Sequence, residues 1–497
     1  MADLQSTNRT KVSKTRESTF GVIPNNPPFK EMRTTSSSLN ANPQTTVTSE
    51  IRSDRQVADL ILVGQQAGGD IGGELSYKTH DDDLEEACQG TWSNKAVRDN
   101  NGSADSVVTA VTASSDTYTV LDAAVDFKPG DIVLASGFGQ ALNNSLFVAE
   151  SGTNGTSVIA PSSPGLADEA APAAAARLKC VGFQGASGDI EATTDGGNAL
   201  ISTSLDFQTL GLAAGEWFKI GSGVTDTGFA TGANNGWARI SAIAQHRISL
   251  DVVPAGFTTD DGASKTIRLF FGDVLRNGTT KRSNTIERQY LDHSPASYEY
   301  FRGMVLNTLS LTFEAQSIVT MARGYMGRDS YLPDPMGRVS GAADTAAPTN
   351  DVLNTSSNIG DIIAGGAPIT GPNYVLQASI EINNNLRQQN AIGSIGAVGI
   401  GVGEFGVTGS LQTYFGNPDE YRKVSENTAT SLALRCGRSD GNREMFIFDL
   451  PRIKYSGGAP GISGKNADVP LEGQYQAIMH PTLGYTIGIQ RFDYLPA

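Results

Sequence analysis

Residues 304–321 read MVLNTLSLTFEAQSIVTM. From Leu309 onward the residue types alternate, with Leu309, Leu311 and Phe313 on one side and Ser310, Thr312 and Glu314 on the other. A period of two is that of a β-strand, whose successive side chains point to opposite faces. The apolar set has to turn to a core, and its partner set then meets solvent. This stretch therefore predicts a two-faced sheet, packed on one side and wet on the other.

Similar strand blocks follow at Tyr374–Asn383, Ile400–Tyr414, Thr430–Cys436 and Glu444–Tyr455. In Glu404–Tyr414 the glycines interrupt the alternation too often for faces to be assigned. A stretch rich in Pro, Gly, Ala, Asn and Asp, 328–373, separates the first strand from this block and reads as a long loop, as does 456–469. One or two short helices are expected. THDDDLEEACQG (79–90) places Asp81, Asp82 and Asp83 in a first turn, where carboxylates suit the free N–H groups, and Gly90 is a stop signal. Asn417-Pro418-Asp419-Glu420-Tyr421 offers a cap followed by proline at the first helical position.

The wider composition agrees with a β-rich chain. Of 497 residues 56 are glycine, while the 39% hydrophobic content is enough for a packed core and excludes wholesale disorder. No run approaches the roughly eighteen apolar residues of a membrane helix, so no membrane insertion is expected. The start, MADLQSTNRTKVSKTREST, has no apolar stretch behind its positive charges, and the expectation is a protein made in the cytoplasm without export. Cys88, Cys180 and Cys436 lie too far apart for a disulfide framework or a zinc pattern. The net charge of −15 is uneven, with +3 over residues 1–55, −6 over 56–100, −10 over 101–273 and −2 over 274–497. Without a long basic cluster, tight phosphate gripping is not expected.

Within 103–273 one module is written twice. AAVDFKPGDIVLASGFGQALNNSLFVAE is answered by TSLDFQTLGLAAGEWFKIGSGVTDTGFATGANNGWARIS. Asp126-Phe127 corresponds to Asp206-Phe207, Gly130-Asp131 to Gly215-Glu216, Gly137 to Gly221 or Gly223, and Asn143-Asn144 to Asn234-Asn235. An offset of about 80–90 residues exceeds that of solenoid repeats, which implies tandem small domains. The expected organisation is a polar arm (1–55), a first part of a main domain (56–102), β modules at 103–187 and 188–273, and a second part (274–497) containing the loop 328–373. On this reading the modules are separable, and a chain joining Asn100 to Arg276 would still fold.

Sequence signals for chemistry are weak. Gly401-Val402-Gly403-Glu404-Phe405-Gly406 matches a dinucleotide pattern, but a strand follows it where a helix N-terminus is required. Gly461-Ile462-Ser463-Gly464-Lys465-Asn466 resembles the end of a phosphate loop but lacks the hydroxyl residue that should follow the lysine. His80 beside three aspartates is not a metal site, because adjacent side chains on one turn fan outward. His246, His293 and His480 have no spaced ligand partners. No nucleophile elbow is present. No catalytic residue, cofactor or metal is expected.

Taken together, several short pieces resemble the tail tube (major tail) protein of long-tailed, siphovirus-like bacteriophages. They are Ser49-Glu50-Ile51-Arg52-Ser53-Asp54-Arg55, Gly72-Gly73-Glu74-Leu75, the acidic helix, Phe301–Leu311, Ala322–Gly327 and Glu404–Phe415. The likeness covers about residues 40–100 and 285–495, and the modules at 103–273 depart from the minimal pattern. The resemblance implies a mainly β fold, a sandwich that forms part of a barrel, interrupted by the two modules. It implies a non-enzymatic virion protein whose hexameric rings stack head to tail into a tube for DNA ejection. Implied partners are copies of the chain itself and the tape measure, tail terminator and distal tail proteins. Ser310, Thr312 and Glu314 are the candidate channel-lining residues. Two other readings remain open from the residues, a carbohydrate-binding or adhesin-like virion surface protein and a polysaccharide-degrading enzyme.

Overall fold

The structure, a computed structural model, describes residues 4–100, 107–121, 125–333, 335–369, 371–438, 443–462 and 464–496. The proposed boundary at 102/103 falls outside the described residues.

The strand Ser297–Glu314 has the faces that its alternation requires. Leu309, Leu311 and Phe313 are buried, Ser310 and Thr312 are half-buried, and Glu314 is exposed. It pairs antiparallel with Thr320–Gly327 on one side and Val375–Asn383 on the other. Beyond these lie Leu60–Glu74 on the first side and Gly406–Tyr414, Pro470–Ala477 and the C-terminal half of Met445–Pro460 on the second. All neighbours are antiparallel, so one layer is an open sheet with a uniform pair of faces. Among the described residues it does not close into a barrel.

Met445–Pro460 bends from this layer into a second one. Its N-terminal half pairs with Thr430–Gly437 and Gly488–Phe492, to which Ile359–Ala364 and Asp273–Arg276 add. Between the layers lies one core, where Leu309, Leu311, Ile380 and Val407 meet Leu434, Phe446, Leu450 and Ile489. Phe313 and Phe448 touch edge to face, with ring centroids 6.0 Å apart. The helix Asp81–Cys88 closes an end of the core with Leu84, Ala87 and Cys88. Gly90 follows in a tight approach, since a Cβ there would stand 2.1 Å from the Arg276 carbonyl oxygen. The second helix is Asp419–Ser425, and Pro418 stands just outside it rather than at its first helical position.

Two segments read as irregular are ordered strands. Thr10–Arg16, within the expected arm 1–55, pairs along its whole length with Asn284–Tyr290, and Val12 to Thr15 are buried. Its single apolar residue hid it, because its burial rests on an ion pair rather than on periodicity. The stretch 328–373 contains the strands Asp329–Tyr331, Ala343–Thr345 and Ile359–Ala364.

Residues 97–270 build a ten-stranded sheet and a four-stranded one, running from Val97–Asp99 to Arg268–Phe270. The repeat is real at atomic detail. Gly130 and Gly215 have φ of +90° and +88°, and Gly137 and Gly221 have +75° and +79°, so Gly221 is the true counterpart. The Asn144 side chain accepts from the Phe138 N–H at 2.9 Å and donates to its carbonyl at 2.9 Å, and Asn235 does the same to Phe229 at 2.8 and 2.9 Å. The two copies also share a sheet, through the pairing of Arg177–Gln184 with Arg268–Phe270.

Candidate functional site: the polar sheet face

The outer face of the first layer can be followed strand by strand from the register. Ser310 stands opposite Ala322 and Glu381, and Glu381 opposite Thr408, which faces Gln476 and then Lys454. The next row runs Glu74, Thr320, Thr312, Ser379, Ser410, Gln474. A third runs Glu314, Gln377, Gln412, Glu472, and a fourth Asp70, Gly324, Thr308, Asn383. Ser310, Thr312 and Glu314 thus share one face, as the alternation requires, with Glu314 at the end of its strand.

This face is built from short hydroxyls, carboxamides and the carboxylates of Asp70, Glu74, Glu314, Glu381 and Glu472. Among the described residues in these rows the one cation is Lys454, at the margin. Some of these side chains are engaged within the sheet. Ser379 and Ser410 share a hydrogen bond of 2.9 Å, and Gln476 donates to the Val407 carbonyl at 3.1 Å.

Sequence reading could not assign Gly406–Tyr414, and the structure shows why its glycines are there. Gly409 lies on the core side between Val407 and Leu411, opposite Tyr475. A Cβ at Gly409 would stand 2.0 Å from the Ser379 carbonyl oxygen and 2.5 Å from the Tyr475 hydroxyl, which donates to that same carbonyl at 2.7 Å. Glycine makes room for a buried tyrosine and leaves Thr408, Ser410 and Gln412 on the polar side.

The far side of the molecule is the opposite case. The outer face of the second layer carries Ile363, Ala433, Ile447 and Phe492, and the repeat sheet covers it with Ile132, Val181, Trp217 and Phe270. Charged groups are threaded through this seam. Lys179 reaches Asp273 at 2.6 Å, Arg491 reaches the same carboxylate at 3.1 Å, and Arg177 grips both oxygens of Asp493 at 3.2 Å. Burial would raise the Asp273 and Asp493 carboxyls, but Lys179 and Arg491 outweigh it at the first, and Lys78 and Arg177 at the second. Both are held below the ordinary carboxylate range. Trp217 and Phe218 are buried, and Trp237 stands edge-on to Phe492 at 5.3 Å, so these rings belong to cores and form no exposed platform for a sugar.

The acidic helix is likewise structural. Its three aspartates diverge, Asp81 to Arg491, Asp82 to Lys30 at 2.7 Å, and Asp83 to Lys14 at 2.5 Å and Arg323 at 2.9 Å. Among the described residues no group of three or more His, Cys, Asp or Glu side chains could hold a metal ion, and no helix is long and apolar enough to cross a membrane. His80 bonds Asp83 at 3.2 Å and the Glu74 carbonyl at 3.0 Å, within this packing.

The family model described as "Phage tail tube protein" matches residues 7–477. No curated protein matches the chain.

Proposed function

Because this chain belongs to the phage tail tube protein family, a structural component of the virion tail, we propose that six copies close into a ring. Rings then stack head to tail, and DNA crosses the resulting channel during ejection. In this reading the main sheet domain is the tube wall and residues 103–273 are an insertion that faces outward. The tape measure, terminator and distal tail proteins are its partners at the core and ends of the tube.

The observation that carries the proposal is the polar face around Ser310, Thr312 and Glu314. A wall that conducts DNA must repel or ignore phosphates. Carboxylates without neighbouring Lys or Arg do so over about a Debye length, ~8 Å at physiological salt. Cations, by contrast, would release counterions and hold the strand. The other layer cannot take this part, because the repeat sheet covers it. Facing the insert outward also puts its net −10 where it keeps neighbouring tubes apart. An open sheet with unpaired edges favours closure with further copies, since a ring removes the edges that invite uncontrolled pairing.

The test is Glu314→Lys combined with Glu381→Lys in assembled tails. Tubes should still form, while DNA release slows, most strongly at low salt. Unchanged release at low salt, or an electron-microscopy map with Glu314 on the outer wall, would assign the channel to another face.

A further inference from the structure

The two repeats place an acid at the same point of the same turn, yet only one of the two acids holds a cation. The Asp131 N–H donates to the Lys128 carbonyl at 3.1 Å, and the Glu216 N–H to the Ala213 carbonyl at 3.1 Å. Each acid's own carbonyl accepts from one backbone N–H, that of Ala149 at 2.8 Å and that of Ile240 at 2.9 Å. Both residues are buried, with 7% of Asp131 and 3% of Glu216 exposed. In the second repeat the chain fills the site itself. Lys95 brings its ammonium to both oxygens of Glu216, at 2.9 and 3.2 Å, and to the Gly211 carbonyl at 2.6 Å. In the first repeat one oxygen of Asp131 accepts from the Lys128 N–H at 2.8 Å, and nothing among the described residues bonds the other. Lys128 sends its ammonium to the Thr209 carbonyl at 2.6 Å instead.

Asp131 lines a cavity of about 390 Å³ between the two repeats and the segment that leads into them, within the size range of small-molecule sites. Val125, Leu210 and Phe271 give it an apolar wall. Two other charges at the cavity already have partners, Lys95 in Glu216 at 2.9 Å and Asp126 in Arg98 at 3.0 Å. A buried carboxylate without a cation is costly, and burial accordingly pushes the Asp131 carboxyl up to about 7. We propose that this cavity binds a small alkylammonium. Its N–H groups take the place at Asp131 that the Lys95 ammonium takes at Glu216, and its methylene chain lies on the apolar wall. The duplication itself shows which chemistry the turn accepts, because one copy is occupied. The site lies within one chain and needs no ring assembly.

Calorimetric titration of the full chain with n-butylamine, at pH 8 and physiological salt, should give saturable binding. Asp131→Asn keeps an acceptor for the Lys128 N–H and should weaken that binding by about tenfold or more. Tetramethylammonium, which has the charge but no N–H, should bind wild type more weakly by about the same factor. An alkylammonium stays charged below about 10.4. Wild-type affinity should therefore fall by up to about tenfold per pH unit below about 7, as Asp131 takes up its proton. Lys128, Lys95, Asp126 and Cys180 also line the cavity, and Asp131→Asn separates their contribution from that of Asp131. No saturable binding at pH 8, or equal affinity in Asp131→Asn, would overturn the site. So would tetramethylammonium binding as tightly as butylamine, or an affinity unchanged from pH 8 to pH 5.

Discussion

Arg239 of the repeat sheet donates to Asp449 of the sandwich at 3.0 Å across the seam, and both side chains are buried. Arg239 also holds Asp251 at 3.0 Å, and the Tyr485 hydroxyl completes the Asp449 site at 3.2 Å. Burial pushes the Asp449 carboxyl above the ordinary range even with Arg239 beside it. Replacing one partner strands the other. Arg239→Met should cost about 3–5 kcal/mol near neutral pH. That loss should shrink in acid, where Asp449 takes up a proton. Urea titrations at pH 5 and pH 8 read both the size and the pH trend.

The same seam bears on the expectation that a chain joining Asn100 to Arg276 would fold. Excision would expose Ile363, Ala433, Ile447 and Phe492 together and leave Asp449 without Arg239, Arg491 without Asp273 and Asp493 without Arg177. The excised chain should be insoluble or aggregate. Substituting polar residues at Ala433, Ile447 and Phe492, with Asp449→Asn, should recover soluble protein. Expression with gel filtration of both versions checks the pair.

Asp131 is buried, and this burial pushes its carboxyl up to about 7, against the opposing pull of the Lys128 N–H and ammonium. A carboxyl raised in the folded state stabilises below its unfolded value, near 4, and loses that contribution as pH climbs to about 7. Asp131→Asn keeps an acceptor for the Lys128 N–H, which the wild-type side chain takes at 2.8 Å. It should raise stability by up to about 4 kcal/mol at pH 8 and change little near pH 4. Thermal melts across that range would show a wild-type decline that the variant lacks.

Asn144 and Asn235 close equivalent turns in the two repeats, each with a pair of bonds to one backbone position. Either substitution to Ala leaves a backbone N–H and carbonyl unpaired, which should cost about 1–3 kcal/mol. The two losses should add, because the residues share no partner. A double-mutant cycle by chemical denaturation tests this. Strong coupling would mean that the two turns act on each other through the sheet that the repeats share.

Gly409→Ala should destabilise by about 1–3 kcal/mol through overpacking. The added methyl meets the Ser379 carbonyl, which is fixed in the ladder, and the Tyr475 hydroxyl. Gly409→Ala with Tyr475→Phe should recover only a part, since the backbone contact persists. Denaturant midpoints of the three proteins measure it.

What the sequence determined by itself is local. The alternation at 309–314 set two faces of a strand, and hydrophobicity decided which one packs. The Asp-Phe, Gly and Asn-Asn spacings identified a duplicated turn, because those residue types meet backbone demands inside a few positions of themselves. Tertiary structure decided everything that depends on a distant partner. Thr10–Arg16 has one apolar residue and is buried, since Lys14 finds Asp83 69 positions away. The second layer's outer face is closed because Arg239 finds Asp449 210 positions away. That closure leaves Ser310, Thr312 and Glu314 on the sandwich's polar outer face. A strand's period records which side is apolar, but not what covers the other side, because coverage is set by contacts that no local spacing encodes.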